Sequence, residues 1–184
     1  MAQTPKSLAD LLVALADNTT GQITPEDIRD MLVSLYPSRG QIQLASGGAV
    51  TTNFVSSGTY VKVAGTTELD TDVSNGNCDM PANGAIRWQK AADQVLLANA
   101  TLEVLPGANN KRYTFTFAKN GLAIPGLAFT AFFGNLSGNP AGVFLSGLIP
   151  VSEGDTITVV VKNDTDTTAI TARVLTISGL GVMV

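Results

Sequence analysis

The stretch RYTFTFAKNGL, residues 112 to 122, governs how the rest of the chain is read. Tyr113, Phe115 and Phe117 alternate with Thr114 and Thr116. That period of two sends aromatic side chains to one face of a strand and hydroxyls to the other. Asn120-Gly121 then falls between apolar strands, and this dipeptide is the strongest short-range hairpin signal because both residues accept a positive φ. Outward from this hairpin, further short strands are expected over 59–63, 85–89, 95–105 with Pro106-Gly107 as its stop, 156–162 after the Glu153-Gly154-Asp155 turn, and 171–177. No βαβ spacing separates them. The expected fold class is therefore mainly β, an antiparallel jelly-roll sandwich.

The chain has 184 residues, 45% of them apolar and 14% charged, enough for one medium domain and an arm. Net charge is −4, and Lys111-Arg112 is the only adjacent basic pair, so no footprint for nucleic-acid phosphates is expected. No run reaches 18 consecutive apolar residues, so no membrane-spanning helix is expected. The opening MAQTPKSLAD lacks a basic segment followed by an apolar one, and no secretory signal is expected. Cys78 is the single cysteine and there is no histidine. That rules out an internal disulfide, a cysteine zinc site, and Ser-His-Asp or Cys-His nucleophiles. Synthesis in a reducing cytosol fits this composition.

The remaining chemistry-bearing groups do not form a site. Asp70-Thr71-Asp72 and Asn163-Asp164-Thr165-Asp166 are rich in oxygen ligands, but the EF-hand order that holds calcium is missing. Glu68 with Asp79 or Glu103 is a formal carboxylate pair for glycoside hydrolysis, with nothing in the sequence to bring any two together. The Gly-rich stretches lack the P-loop lysine. Trp88 and Tyr60 have the ring faces that stack on sugars, although a lone Trp in a strand usually belongs to the core. No catalytic, cofactor-binding or metal residue is assigned. The chain is expected not to be an enzyme and to need no cofactor.

Before the strands lies a stretch of different character. Thr24 suits an N-cap, Pro25 the first helical position, and Glu26 and Asp27 the positive end of a helix dipole. Ile28, Met31, Leu32 and Leu35 then recur at i, i+3, i+4, i+7 until Tyr36-Pro37 stops the pattern. Upstream, Ser7-x-x-Asp10 resembles a capping box, and Leu8, Leu11, Leu12 and Leu15 repeat the same spacing. The expected organisation is a short α-helical N-terminal arm of two helices over 1–36, a linker over 37–48 and the jelly roll over 49–184. Helices of about three turns are marginal alone in water. The arm therefore needs a surface, on its own β-domain or on another protein.

Residues 120–152 contain no charged side chain. Phe129, Phe132, Phe133, Phe144 and Leu148 fall inside this stretch, and strands so apolar are expected to be covered on both faces. A domain of this size has one inner core, so contact between subunits is the expected second cover, with long loops as the alternative.

Two sets of residues carry a resemblance. DNTTGQITPEDIRDMLVSL (17–35) resembles a short N-terminal segment of structural proteins of tailed bacteriophages, matching at Asp17, Asn18, Gly21, Ile23, Thr24, Ile28, Arg29 and Asp30. NGAIRWQ (83–89), ANATLEVLPGANNKRYTFTFAKNG (98–121), VSEGDTITVVVKN (151–163) and ARVLTISGLGV (172–182) resemble jelly-roll heads related to tumour necrosis factor and the globular complement domain, as phage virions use them. The resemblance implies a homotrimer with Phe129, Phe132, Phe133, Phe144 and Leu148 at the subunit interface. It further implies a capsid decoration or cement protein on the outer capsid surface, made in the host bacterial cytoplasm and bound to the major capsid protein. Its anchor would be Leu8, Leu11, Leu12, Leu15, Ile28, Met31, Leu32 and Leu35, with no nucleic acid or membrane as partner. The alternative is a head-fibre or tail-fibre tip that binds a host-surface receptor or glycan, with Trp88 or Tyr60 exposed. The chain has no repetitive shaft between arm and head, which favours the decoration protein.

Overall fold

The computed structural model describes residues 39–70, 77–90, 93–134 and 139–182. The helical arm expected over 1–36, with its eight anchoring residues, lies outside them. In chain order the strands are β1 (Arg39–Ala49), β2 (Thr51–Thr52), β3 (Val61–Lys62), β4 (Gly65–Leu69), β5 (Cys78–Ala82), β6 (Ala85–Trp88) and β7 (Gln94–Pro106). They continue with β8 (Lys111–Lys119), β9 (Leu122–Ala123), β10 (Phe129–Phe133), β11 (Ala141–Val151), β12 (Thr156–Asn163) and β13 (Ile170–Val182). A 3-10 turn, Pro125–Leu127, precedes β10.

Among the described residues the strands form two antiparallel sheets. The first has the order β11-β7-β13-β1-β4, with β2 also on β13. The second has the order β10-β8-β12-β6-β5, with β3 on β12 and β9 on β8. Sequence neighbours are mostly not sheet neighbours, as a jelly roll requires. The expected antiparallel jelly-roll sandwich is the fold observed.

Alternation fixes which side of each strand meets the other sheet. In β7, Leu96, Ala98, Ala100, Leu102 and Val104 are buried and the residues between them are not. Tyr113, Phe115 and Phe117 of β8 are buried to the last atom, so the aromatic face read from the sequence is the core face. The opposite face of β8 is covered as well: Thr116 donates its Oγ1 hydrogen to the Ile124 carbonyl at 2.6 Å. The hairpin forms as read. Asn120 and Gly121 both take positive φ, 51° and 80°, and Lys119 pairs with Leu122 across them.

One boundary differs from expectation. Residues 39–48, read as linker, belong to β1, which lies between β13 and β4. Ile42, fully buried, faces Ile177 on one side and Leu69 on the other. The Gly47-Gly48 pair lies in an irregularity of the β1–β4 pairing between Leu44 and Ala49. Gly47 has φ +72°, and a Cβ on Gly48 would sit 2.8 Å from the Ala45 carbonyl oxygen. Glycine inside a strand often marks such a bulge, and it reads like a linker when the pairing partners are unseen.

Candidate functional site: an apolar edge of the sandwich

β10 and β11 are edge strands, one in each sheet, on the same side of the sandwich. Inside that edge the packing is close. A Cβ on Gly147 of β11 would come within 2.5 Å of the Leu127 side chain, so the 3-10 turn rests directly on β11. Thr130 of β10 and Thr114 of β8 share a hydroxyl–hydroxyl hydrogen bond of 2.7 Å.

Outside, the edge is apolar and open. Phe132 is 63% exposed, Leu148 62% and Phe144 60%, and Phe129 is about half exposed. Isolated exposed apolar residues are ordinary, but here Phe132 points outward from one sheet, opposite Arg112 of β8, and Phe144 and Leu148 point outward from the other, so the two edge strands together offer a candidate interaction surface. Phe133 does not join them. It is 2% exposed and packs edge to face on Tyr113, because alternation along β10 turns it inward where Phe132 turns outward. The sequence stretch was apolar enough that nothing local separated the two. Leu97, Leu180 and Leu122 were not singled out from the sequence. Leu122 is well exposed on β9, and Leu180 of β13 faces Leu97 of β7, which in turn faces Leu148. Cross-strand register was the missing signal.

Charge lies in turns and on other strands. Lys119 Nζ meets Asp155 Oδ2 at 2.8 Å, and the Asn120 side chain donates to Asp155 Oδ1 at 2.6 Å. Burial works to raise the Asp155 carboxyl, but hydrogen bonds from Lys119, the Ser152 N–H and Asn120 outweigh it and leave the carboxyl below its ordinary value. In the β12–β13 connection, Lys111 Nζ pairs with Asp166 at 2.6 Å and Lys162 Nζ with Asp164 at 2.9 Å. Asn163 organises this turn: its Oδ1 accepts the N–H groups of Thr165 and Asp166, and its Nδ2 donates to Asp166 Oδ1 and the Thr168 carbonyl. The oxygens considered for calcium are therefore engaged by lysines and backbone, and Asn163–Asp166 is a structural turn. Asp72 of the other acidic pair lies outside the described residues.

The other candidates separate likewise. Glu68 is on β4 and Glu103 on β7, three strand spacings apart in the first sheet, about 14 Å. Asp79 is on the second sheet, ion-paired with Arg87. Trp88 is 1% exposed and belongs to the core, and Tyr60 lies 5.4 Å below the Lys162 ammonium. Cys78 is buried, and that burial, with Asp79 beside it, pushes its thiol up to about 12. Among the described residues no three His, Cys, Asp or Glu side chains are close enough to hold a metal. What the edge can offer is contact area.

No protein-family model matches the chain, and no curated protein matches its sequence. Solved structures do match by shape. The structure of Eiger TNF from S. frugiperda superposes with a TM-score of 0.55 at 11% identity, covering 80% of this chain and 93% of that one. The crystal structure of murine APRIL at pH 5.0 gives 0.51 at 8% identity, covering 79% of this chain and 100% of that one. The jelly roll is thus of the tumour-necrosis-factor-like kind. Identities this low speak to fold alone.

Proposed function

We propose that the chain is the subunit of a homotrimer, a bacteriophage capsid decoration protein that acts by adhesion and not by catalysis. One observation carries the self-association. Phe129, Phe132, Phe144 and Leu148 stay solvent-exposed in the single subunit, along an edge drawn from a 33-residue stretch without charge (120–152). Covering them against neighbouring subunits would remove each from water, and an unpaired β10 edge is itself a liability that assembly relieves. The tumour-necrosis-factor-like fold supports this reading. The virion assignment is supported by the likeness of residues 17–35 to phage structural proteins and by the missing shaft. The partner is then the major capsid protein on the outer capsid surface, the arm is the anchor, no cofactor takes part, and synthesis is in the host cytoplasm. Burial of Trp88 removes one of the two rings that a glycan-binding fibre tip could use, leaving the partly exposed Tyr60 beside Lys162.

Light scattering on the full chain tests the trimer. Three subunit masses are expected, and Phe132→Asp with Phe144→Asp should give folded monomers. A monomeric parent chain would sink the self-association. Capsid occupancy tests the rest: Leu8→Asp with Leu12→Asp should leave the trimer intact and the capsids bare, and full occupancy by that variant would remove the arm as anchor.

A further inference from the structure

Leu180 of β13 stands opposite Arg39, the first described residue of β1. The same cross-strand row continues through Leu97 of β7 to Leu148 of β11. Leu180 is 42% exposed and Leu148 more so, and the next residues outward on this face are Val95 and Pro150. The row on the inward side is polar, reading Gln41, Ser178, Asn99 and Ser146. A leucine strip thus crosses the end of three adjacent strands, bounded by a polar band. Phe144 lies about 13 Å from it along β11.

Whatever precedes Arg39 leaves the sheet from beside this strip. The spacing of Ile28, Met31, Leu32 and Leu35 predicts a helix over 25–35, and the four steps from Leu35 to Arg39 then span at most about 14 Å. Leu35 is therefore tethered within reach of the strip in whatever direction the helix points. Eleven helical residues measure about 16 Å. From β1 across β13 and β7 to β11 is three strand spacings, about 14 Å. A helix this short needs a surface for its apolar stripe, and a tether of a few residues gives the nearest one an effective concentration in the millimolar range.

We propose that the helix over 25–35 lies across the ends of β13, β7 and β11 of its own subunit, with Leu35 at Leu180 and Ile28 toward Leu148. The arm then divides in two. Its second helix clips onto the head, and Leu8, Leu11, Leu12 and Leu15 are the part left to reach a partner. The inference needs neither the trimer nor the virion assignment; with it Leu148 is covered from within the subunit, and Phe129, Phe132 and Phe144 are what remains for a neighbouring one.

Disulfide trapping in the full chain tests it. Leu35→Cys with Leu180→Cys and Leu32→Cys with Leu180→Cys are oxidised beside a control, Leu35→Cys with Thr101→Cys, whose position on β7 is about 13 Å from the strip. Cys78 is buried and stays native. At least one test pair should close within a single chain about tenfold faster than the control, seen by non-reducing electrophoresis and intact mass. Links between chains would put the helix on a second copy and overturn the proposal. So would closure no faster than the control in a head whose near-UV circular dichroism is native. Light scattering on the same samples reads the trimer separately, so an intrachain link in a monomer would defeat the trimer and leave this inference standing.

Discussion

The rings of Tyr113 and Phe133 meet edge to face, with centroids 5.5 Å apart and planes at 76°. Tyr113 also touches Phe54, at 5.9 Å between centroids, and its hydroxyl donates to the carbonyls of Thr168 and Ala169. Burial pushes that hydroxyl up to about 12, with the nearby Asp166 charge adding to the effect. Phe133 thus closes one end of the core while its neighbour Phe132 faces solvent. Phe133→Ala should cost about 3–5 kcal/mol. Phe132→Ala should change subunit stability by no more than about 0.5 kcal/mol. Urea unfolding at fixed protein concentration separates them, and equal costs would mean that Phe132 is a core residue too.

Asn120 combines two roles that substitution can separate. Its φ of 51° is one that Asn and Gly tolerate, and its side chain holds Asp155 and accepts the Thr156 N–H at 2.9 Å. Asn120→Gly keeps the backbone and loses the bonds. Asn120→Ala loses both, at about 1–2 kcal/mol for the left-handed conformation alone. The expected order of urea midpoints is parent, then Gly, then Ala. If Gly and Ala fall together, the hairpin's conformation is not what Asn120 supplies.

What was legible in the sequence was local. β8 and its hairpin could be read because alternation and the Asn-Gly turn sit within a dozen residues, and their neighbours only confirm the pattern. β1 was missed because Ile42 owes its burial to Ile177 and Leu69, and the glycines marking its bulge look like a linker without them. The apolar edge was visible as an absence of charge. Which of its residues face out depends on strand phase, so Phe133 was assigned wrongly and the Leu97–Leu180 pairing was invisible. Trp88 in a short strand carried both meanings until its burial was known.

The Cys78 thiol should be inert. It is buried against the core with Asp79 adjacent, and at pH 8 a group raised to about 12 is almost wholly protonated. Only the thiolate attacks a disulfide, so an aromatic disulfide reagent should label the native chain at least roughly a thousandfold more slowly than the unfolded one. Absorbance of the released thiol follows both. Stoichiometric labelling of native protein within minutes would place Cys78 at the surface and break the β5–β6 pairing described above.

Acid should loosen the end of the sandwich where β12 turns into β13. The hydrogen bond from Lys111 holds the Asp166 carboxyl far below its ordinary range, helped by the Thr168 N–H at 2.8 Å and Asn163. At Asp164, burial acts in the opposite direction but is outweighed by Lys162 and the Thr114 hydroxyl, so that carboxyl is lowered as well. A carboxyl whose folded value lies below its unfolded value, about 3.9, stabilises the fold fully above that pH. The contribution is lost as pH falls toward the folded value. The thermal midpoint should therefore hold from neutral pH to about pH 5 and then drop as pH falls below about 4. Asp166→Asn gives up the ion pair with Lys111 at every pH, so it should start lower at neutral pH and lose less on acidification. A variant as acid-sensitive as the parent would shift the cause from Asp166 to the other carboxylates, Asp164 and Asp155 first.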